Sequence, residues 1–349
     1  MAHEITIRED GFAEAAFALR PAWHGLGQVF DRAMLGEEAL IGAGLNVRVI
    51  QSPVFRQHRR WNELSAIHIT DYEQITGYQF NTREDTGAVL GLVTDAYKVV
   101  QNIEAFQFLD ALVENHEMRY ESAFSLRGGR KVVLLARLPG ADRIVEGDHV
   151  LRYVLLSLSH DGTEAIRFGP CAVRVVCANT YAIALGEGYT HELSIRHTGN
   201  VMEKLAQARN ILTVASERFA QYAEHSQALA RARLDACDWE EYLDIMCPVP
   251  SHHDPDWTQK REDRITVTRL GIRTAYSNAR QSLPGIKDTC WAAYNAVAEH
   301  IDHLPRRGAT PRARVEARFN VALYGAGRDA KERAFQTACR FAGIGQTGA

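Results

Sequence analysis

The sequence predicts an α+β protein, in which a central antiparallel β-sheet packed by helices is followed by a long helix and a mainly helical C-terminal region. Three observations carry this prediction. Residues 102–116 place apolar side chains at helical spacing. Residues 130–177 form β-branched runs separated by turn signals. From residue 201 onward, several long segments repeat apolar positions every three or four residues.

The composition narrows the class of protein. The chain has 349 residues, 46% hydrophobic and 24% charged, as in ordinary globular proteins. Its formal net charge of -3 means that nucleic-acid binding would need a local basic surface. No run of about 18 apolar residues is present, and the start lacks the basic-then-apolar pattern of a secretion signal. The six cysteines include no CxxC pair. We therefore expect a protein of the reducing cytoplasm, with no disulfide framework, membrane partner or bound cofactor.

The first hundred residues show the weakest pattern. Glycines interrupt the opening segment, and the strand-like runs that follow, such as 66–70 and 88–94, are short. The first clear helix is NIEAFQFLDALVENH, residues 102–116. We expect Asn102 to cap it by accepting a bond from a free first-turn N–H, while Glu104 suits the positive end of the helix dipole. The expected apolar face comprises Ile103, Phe106, Leu109, Leu112 and Val113.

Four antiparallel strands are expected next. RKVVLLARL (130–138) and HVLRYVLLSLSH (149–160) are the first two, with LPGADRIVEGD as their connection. TEAIRF and AVRVVC are the third and fourth, separated by Gly169-Pro170. Asp161-Gly162 is a strong hairpin signal because both turn positions tolerate positive φ. His160 and Asp161 should therefore lie at a turn, and strand alternation points Cys177 toward the core.

The second half of the chain reads as helical. Residues 201–234 carry a heptad-like seam of apolar side chains, and helices are expected again from 265 to 279 and from 289 to 303. The predicted divisions are an α+β core (1–200), a long helix with its extension (201–246), a linker loop (247–263) and a helical, basic C-terminal region (264–349). Residues 303–340 contain nine Arg or Lys against three acids, a local charge of +6.

Several stretches occur together in a familiar order: PAWHGLG, YKVVQNIEAFQFLD, GGRKV, SHDGT, RVVCANT, IRHTGN, TCWAAYNAVAEHIDH and LYGAGRDAKERA. In that order and spacing, they resemble the phage- and plasmid-like proteins grouped as an uncharacterised domain family, number 932. The resemblance covers nearly the whole chain and implies a mobile-element protein that handles DNA or counters the host. The order of a helix, antiparallel strands and a further helix is also similar in topology to the annealing core of Rad52-like recombination proteins.

Arginines on the predicted sheet suggest a surface for single-stranded DNA. Such a surface needs cations for the phosphates and flat side chains on which bases stack. The candidate residues of the sheet are Arg127, Arg130, Lys131, Arg137, Arg152, Arg167 and Arg174, with Tyr153 and Phe168 interleaved. A second candidate cluster is Arg306, Arg307, Arg312, Arg314 and Arg318. The leading hypothesis is a non-catalytic, homo-oligomeric protein that binds single-stranded DNA, promotes annealing and loses affinity steeply as salt rises. The alternative for each cluster is a solvated surface.

Two other functions stay open. Cys177 could be the nucleophile of an enzyme, with His160 or His197 as its base and Asn179 orienting that base. Alternatively, the protein could bind a host protein to counter defence, in which case the arginines are incidental. A metal site in the loop that carries His252 and His253 is disfavoured, because adjacent side chains point apart.

Overall fold

The computed structural model describes residues 5–19, 26–62, 67–116, 118–174, 180–182, 193–201, 203, 211–278, 280–303 and 325–344. Its strands are β1 (Ala15–Ala18), β2 (Gln28–Phe30), β3 (Val49–Asn62), β4 (Ile67–Arg83), β5 (Val89–Thr94), β6 (Arg119–Leu126), β7 (Lys131–Val145), β8 (Asp148–Ser159), β9 (Ile166–Arg174), β10 (Thr180–Ala182) and β11 (Leu193–Ile195). Its helices are α1 (Gly36–Gly42), α2 (Asn102–His116), α3 (Ile211–Arg231), α4 (Ala236–Met246), α5 (Gln259–Tyr276), α6 (Cys290–His303) and α7 (Gly325–Phe341).

A large sheet forms the centre of the fold and confirms the predicted α+β class. Its strand order is β10-β9-β8-β7-β6-β1-β2, and β11 also pairs with β9. All pairs are antiparallel except β1 with β2. The β8–β9 connection turns at Asp161-Gly162 as predicted, with Gly162 at a φ of 76°.

Two predicted strand boundaries are wrong. The segment expected to connect the first two strands belongs to β7, because residues 138–140 bulge out and pairing with β8 resumes at Ala141. The third and fourth predicted strands are a single strand, β9. Pro170 does not break it, because β11 pairs only with residues 166–168 and β10 only with 171–173. Pro170 falls in the gap between these two partners, so its missing N–H interrupts neither ladder.

Helix α2 has the predicted bounds but a different N-terminal arrangement. The side-chain hydrogen bond at the N-terminus of α2 comes from Glu104 and not from Asn102. The Glu104 carboxylate accepts from the Gln101 N–H at 2.7 Å. The Asn102 amide instead donates to the Leu45 carbonyl at 2.9 Å. Ile103 is 49% exposed and so lies outside the expected apolar face.

Apolar side chains cover both faces of the large sheet. One face packs against α1 and α2, with Met34, Phe106, Leu109, Tyr120 and Leu134 among the buried residues. The other face carries a group that includes Phe17, Phe124, Val133, Tyr153 and Cys171. The described C-terminal helices enclose a third group around Trp291, whose indole N–H donates to Asp148 at 2.9 Å.

The C-terminal half is mainly helical, as predicted. Helix α3 lies within the expected long helix, whose positions 204–210 are outside the described residues. Helix α5 begins at Gln259, inside the segment predicted as a linker, because the Thr258 side chain caps it. In the part of the chain described, no helix combines the length and hydropathy needed to cross a membrane.

A second sheet, with the order β3-β4-β5, was not anticipated. Its first two strands have 14 and 17 residues, in a region that the sequence suggested to be irregular. This small sheet contains the surface with the clearest functional character.

Candidate nucleic-acid interface

Strands β3 and β4 extend beyond the rest of the small sheet. They pair from Val49–Arg83 to Asn62–Ile67, whereas β5 pairs only with residues 78–82 of β4. We call residues 54–62 and 67–75 the distal ribbon, since no third strand joins them in the described structure. At about 3.3 Å per residue, the ribbon is roughly 25 Å long.

The two faces of the distal ribbon differ in chemistry. Strand alternation and the register place six side chains on one side, which we call the aromatic face: Phe55, Gln57, Arg59, Trp61, Tyr72 and Gln74. Thr70 is the remaining described side chain of this side, so the described part of the face carries no carboxylate. Its aromatic side chains are well exposed, at 53% for Phe55, 55% for Trp61 and 69% for Tyr72.

The opposite side, which we call the charged face, holds the acids. Glu73 accepts from the Arg56 Nε at 2.7 Å and contacts the His58 Nε2 at 2.6 Å. The hydrogen bond from Arg56, and then that from His58, lowers the pKa of Glu73. By contrast Arg59, on the aromatic face, is exposed and forms no ion pair within the described part of the chain. Among the described side chains of the ribbon, the arginine without an ion pair therefore lies beside the aromatic rings.

The base of the small sheet is fixed to the large one. The Gln101 side chain pairs with both backbone groups of Val49, at 2.9 and 2.8 Å. The Asn81 amide donates to the His160 carbonyl at 2.8 Å. Gly91 lies against the backbone of Asp161. A Cβ on Gly91 would be only 2.5 Å from the Asp161 carbonyl oxygen. The ribbon therefore projects from an anchored base.

A buried charge network completes this anchor. Arg83, the last residue of β4, donates to both carboxylate oxygens of Glu14, at 3.1 and 2.7 Å, and also bonds Asp85. Burial acts to lower the pKa of Arg83, but hydrogen bonds to Asp85 and Glu14 outweigh it, and the pKa rises. Arg8 and Ser125 also donate to Glu14. Every oxygen of this buried carboxylate is thereby satisfied.

Two of the predicted arginines lie near the base of the ribbon. Arg127 and Arg130 are exposed at the β6–β7 turn. Gly129 in this turn lies against the Arg83 side chain, where a Cβ would come within 2.8 Å of a guanidinium nitrogen. Arg137 belongs to the opposite end of the same strand pair, where it is half-buried.

Three other predicted residues are buried. Lys131 is 3% exposed, and its ammonium pairs with Glu164. Tyr153 is 2% exposed and donates its hydroxyl to Glu121 at 2.8 Å. Phe168 has no exposed surface. In this fold none of them offers a ring or a charge to a nucleic acid.

The remaining sheet arginines are engaged or only partly described. Arg152 binds Asp142, with Nε 2.7 Å from the carboxylate, and covers the ring of Phe219. Arg167 lies with its Nε 3.8 Å from Glu164. The backbone of Arg174 pairs with Val150 at the end of β9. The predicted sheet residues therefore do not form one surface. The C-terminal cluster Arg306, Arg307, Arg312, Arg314 and Arg318 lies outside the described residues.

The residues of the alternative enzyme hypothesis either lie outside the described residues or are buried. Cys177 and Asn179 lie outside the described residues. His160 is 1% exposed and His197 is 4% exposed, so solvent does not reach either imidazole freely. Burial lowers the pKa of His160 to about 4 and also lowers that of His197. Within the residues that the structure describes, no three His, Cys, Asp or Glu side chains gather as metal ligands.

Sequence reasoning missed the distal ribbon although a signal was present. VIQSPVFRQHRRW and ITDYEQITGYQF are rich in β-branched and aromatic residues. Their alternation is hidden because both faces are exposed, so neither side of the strands is consistently apolar.

The family described as "Domain of unknown function (DUF932)" matches residues 89–331, which is more than half of the chain. The match includes β5 to β11 and the described helices α2 to α6, and begins after the distal ribbon. No curated protein and no solved structure matches the chain.

Proposed function

This chain belongs to the DUF932 family, and we propose that it binds single-stranded DNA through the aromatic face of its distal ribbon. The observation that carries the proposal is the separation of charge on the ribbon. Three exposed aromatic rings share one face with Arg59, which forms no ion pair among the described residues, and the acids at described positions lie on the other face.

The exposed aromatic side chains of the distal ribbon indicate a binding partner. A two-stranded ribbon without a third strand is only marginally stable in water, and exposed apolar surface on such an element is typical of an interaction site. The rings of Phe55, Tyr72 and Trp61 follow one another along the face at roughly 7 and 14 Å, given about 3.4 Å per residue. They therefore offer separate stacking positions along an extended strand.

The chemistry of the aromatic face favours unpaired bases. Base–aromatic stacking contributes about 1–3 kcal/mol per base and does not depend on sequence. A duplex keeps its base faces hidden, so it can use the cation of Arg59 but not the three rings. The amides of Gln57 and Gln74 add donors and acceptors without repelling phosphate.

Annealing and self-assembly extend this proposal. Strand β3 is 14 residues long and has no neighbour on its outer side among the described residues, so a second copy could pair along it. Bases stacked on aromatic rings keep their pairing edges available to a complementary strand. An origin in phages or plasmids belongs to the same proposal and is supported by the sequence motifs alone.

The decisive experiment measures binding of a fluorescent oligothymidine to the full chain and to two tyrosine variants. Tyr72→Ala removes a ring from the aromatic face and should weaken binding about tenfold, the equivalent of about 1.4 kcal/mol. Tyr78→Ala is the matched control. Tyr78 is 47% exposed on the same strand, but the bulge between Pro53 and Val54 places it on the other side of the sheet.

Equal effects of the two variants, or duplex binding as tight as single-strand binding, would contradict the proposal. Recording molecular mass with and without the oligonucleotide tests assembly in the same samples. An increase in molecular mass beyond that of one chain with one oligonucleotide supports annealing by an oligomer. A mass that shows no assembly restricts the function to binding.

A further inference from the structure

A cleft of about 250 Å³ opens at the end of the β6–β7 pair that lies away from the β6–β7 turn. Its walls come from the end of β1, from Ala33, from the start of β6 and from the β7 bulge at residues 138–140. The polar side chains at its lining are Arg119, Arg137 and Glu121. We call it the arginine cleft.

The backbone around the arginine cleft is irregular on three sides. Glu121 is a bulged residue, since the β6–β7 register shifts between Tyr120 and Ser122. The β7 bulge faces it, and Leu19 adopts a φ of 65°, a conformation that bulky residues rarely hold. Bulges and left-handed non-glycine residues concentrate at ligand sites, where they direct side chains that a regular strand would not place.

The charges in the arginine cleft are poorly balanced. Arg119 and Arg137 are direct cross-strand partners, and like charges in that arrangement repel each other. Neither guanidinium forms an ion pair with any residue that the structure describes. The sheet therefore holds two cations together at the lining of an open cleft, which is the arrangement that an anion relieves.

Glu121 limits which anion fits. Its carboxylate is held by the Tyr153 hydroxyl at 2.8 Å and shares the cleft with the two arginines. An anion without a hydrogen-bond donor would be repelled by this carboxylate. A phosphate ester that also carries a hydroxyl or N–H group would satisfy all three side chains.

We propose that the arginine cleft binds a phosphomonoester of a nucleoside, with Arg119 and Arg137 on the phosphate and Glu121 on a sugar or base donor. The cleft is large enough for about one nucleotide. Two sources share this chemistry: a free mononucleotide and the 5′-phosphorylated end of a DNA strand. Binding of a 5′-phosphorylated strand end rests on the proposed function and extends it. Binding of a free mononucleotide is independent of the proposed function.

The test is calorimetric titration of the full chain with thymidine 5′-monophosphate, thymidine and inorganic phosphate. The nucleotide should bind more tightly than either fragment. Arg137→Gln should weaken nucleotide binding at least tenfold, and Arg119→Gln should act in the same direction at an exposed site that tolerates change. Arg130→Gln, near the other end of the same strand pair, is the matched control and should leave binding unchanged.

Glu121→Gln separates the proposed site from general charge attraction. The amide keeps an oxygen for the Tyr153 hydroxyl but removes the negative charge, so the preference for nucleotide over inorganic phosphate should fall. Absence of nucleotide binding at millimolar concentration, equal binding of phosphate and nucleotide, or equal losses in Arg130→Gln and Arg137→Gln would each overturn the proposal.

Oligothymidines with a 5′-phosphate or a 5′-hydroxyl distinguish the two sources. Tighter binding of the phosphorylated strand, lost in Arg137→Gln, supports the strand end. Equal binding of both strands, together with Arg137-dependent binding of the free nucleotide, supports the mononucleotide. Because Tyr72→Ala should leave thymidine 5′-monophosphate binding unchanged, failure of the ribbon proposal and failure of this one give different results.

Discussion

Two buried imidazoles, those of His160 and His197, are held neutral by burial, and their hydrogen bonds fix which ring nitrogen carries the proton. The Asn102 amide donates to Leu45, which leaves its oxygen to accept from His160 Nε2 at 2.9 Å. His197 Nδ1 lies 3.0 Å from the Lys98 carbonyl, so this nitrogen carries the proton. The other nitrogen of each ring is buried without a hydrogen-bond partner in the described structure. A second proton on either ring would therefore find no acceptor.

Acid should destabilise the fold through His160. Its folded pKa is about 4, below the unfolded value of 6.5, so the unfolded state takes up the proton first as the pH falls. The stabilisation that neutral His160 contributes to the fold is fully present above about pH 6.5 and is lost as the pH falls toward 4. We expect the free energy of unfolding to drop by about 1 kcal/mol at pH 5.5 and about 2 kcal/mol at pH 4.5 from this group. Urea unfolding at these pH values and at pH 7.5 measures the loss.

The variant His160→Gln provides the comparison. Its amide can still donate to Asn102 but does not titrate, so the pH dependence should flatten. Some dependence should remain, because the pKa of Asp161 is lowered by hydrogen bonds from Ser159 and Thr163 that outweigh its burial. His253→Gln, in an exposed loop, should keep the wild-type slope. An unchanged slope in His160→Gln would contradict the assignment.

Among the elements, β5 decides how the small sheet sits on the large one. A Cβ on Gly91 would lie 2.5 Å from the carbonyl oxygen and 2.6 Å from the Cα of Asp161. Because both atoms are backbone, neither can move aside cheaply, and Gly91→Ala should lower the free energy of unfolding by about 1–3 kcal/mol. Leu92→Ala is the control, since Leu92 is 53% exposed on the same strand and should change stability little. Comparable losses in both variants, measured by urea unfolding, would show that Gly91 is not a docking point.

The elements that the sequence predicts well are those with one buried face. Helix α2 and the core of β7 and β8 have a periodicity that burial imposes, and the structure confirms them. The distal ribbon has two exposed faces, so no apolar alternation marks its strands. The arginine cleft depends on which residues become cross-strand partners, and Arg119 and Arg137 are 18 positions apart in the sequence. Charge counting along the chain cannot show such a pairing.

Ion pairing also explains why the cations predicted as site residues from the sequence differ from those that the folded protein leaves available. Lys131, Arg152 and Arg167 each have a carboxylate nearby, supplied by Glu164 or Asp142. These two carboxylates offset part of the positive charge that the strand sequences suggest. With a formal net charge of -3, the whole molecule does not attract DNA, so an interface must depend on local groups.

The salt dependence of DNA binding measures how many phosphates the interface contacts. Stacking on the ribbon releases no counterions, and each phosphate contact to a single strand contributes a slope of about -0.7 in log affinity against log salt. With a phosphate contact at Arg59, we expect a slope of about -0.7, shallower than the arginine-rich sheet surface would give. Arg59→Gln should reduce the slope by about 0.7, and Arg312→Gln should not change it. A wild-type slope steeper than about -4, reduced by Arg312→Gln, would instead place the main contacts in the basic segment 306–314.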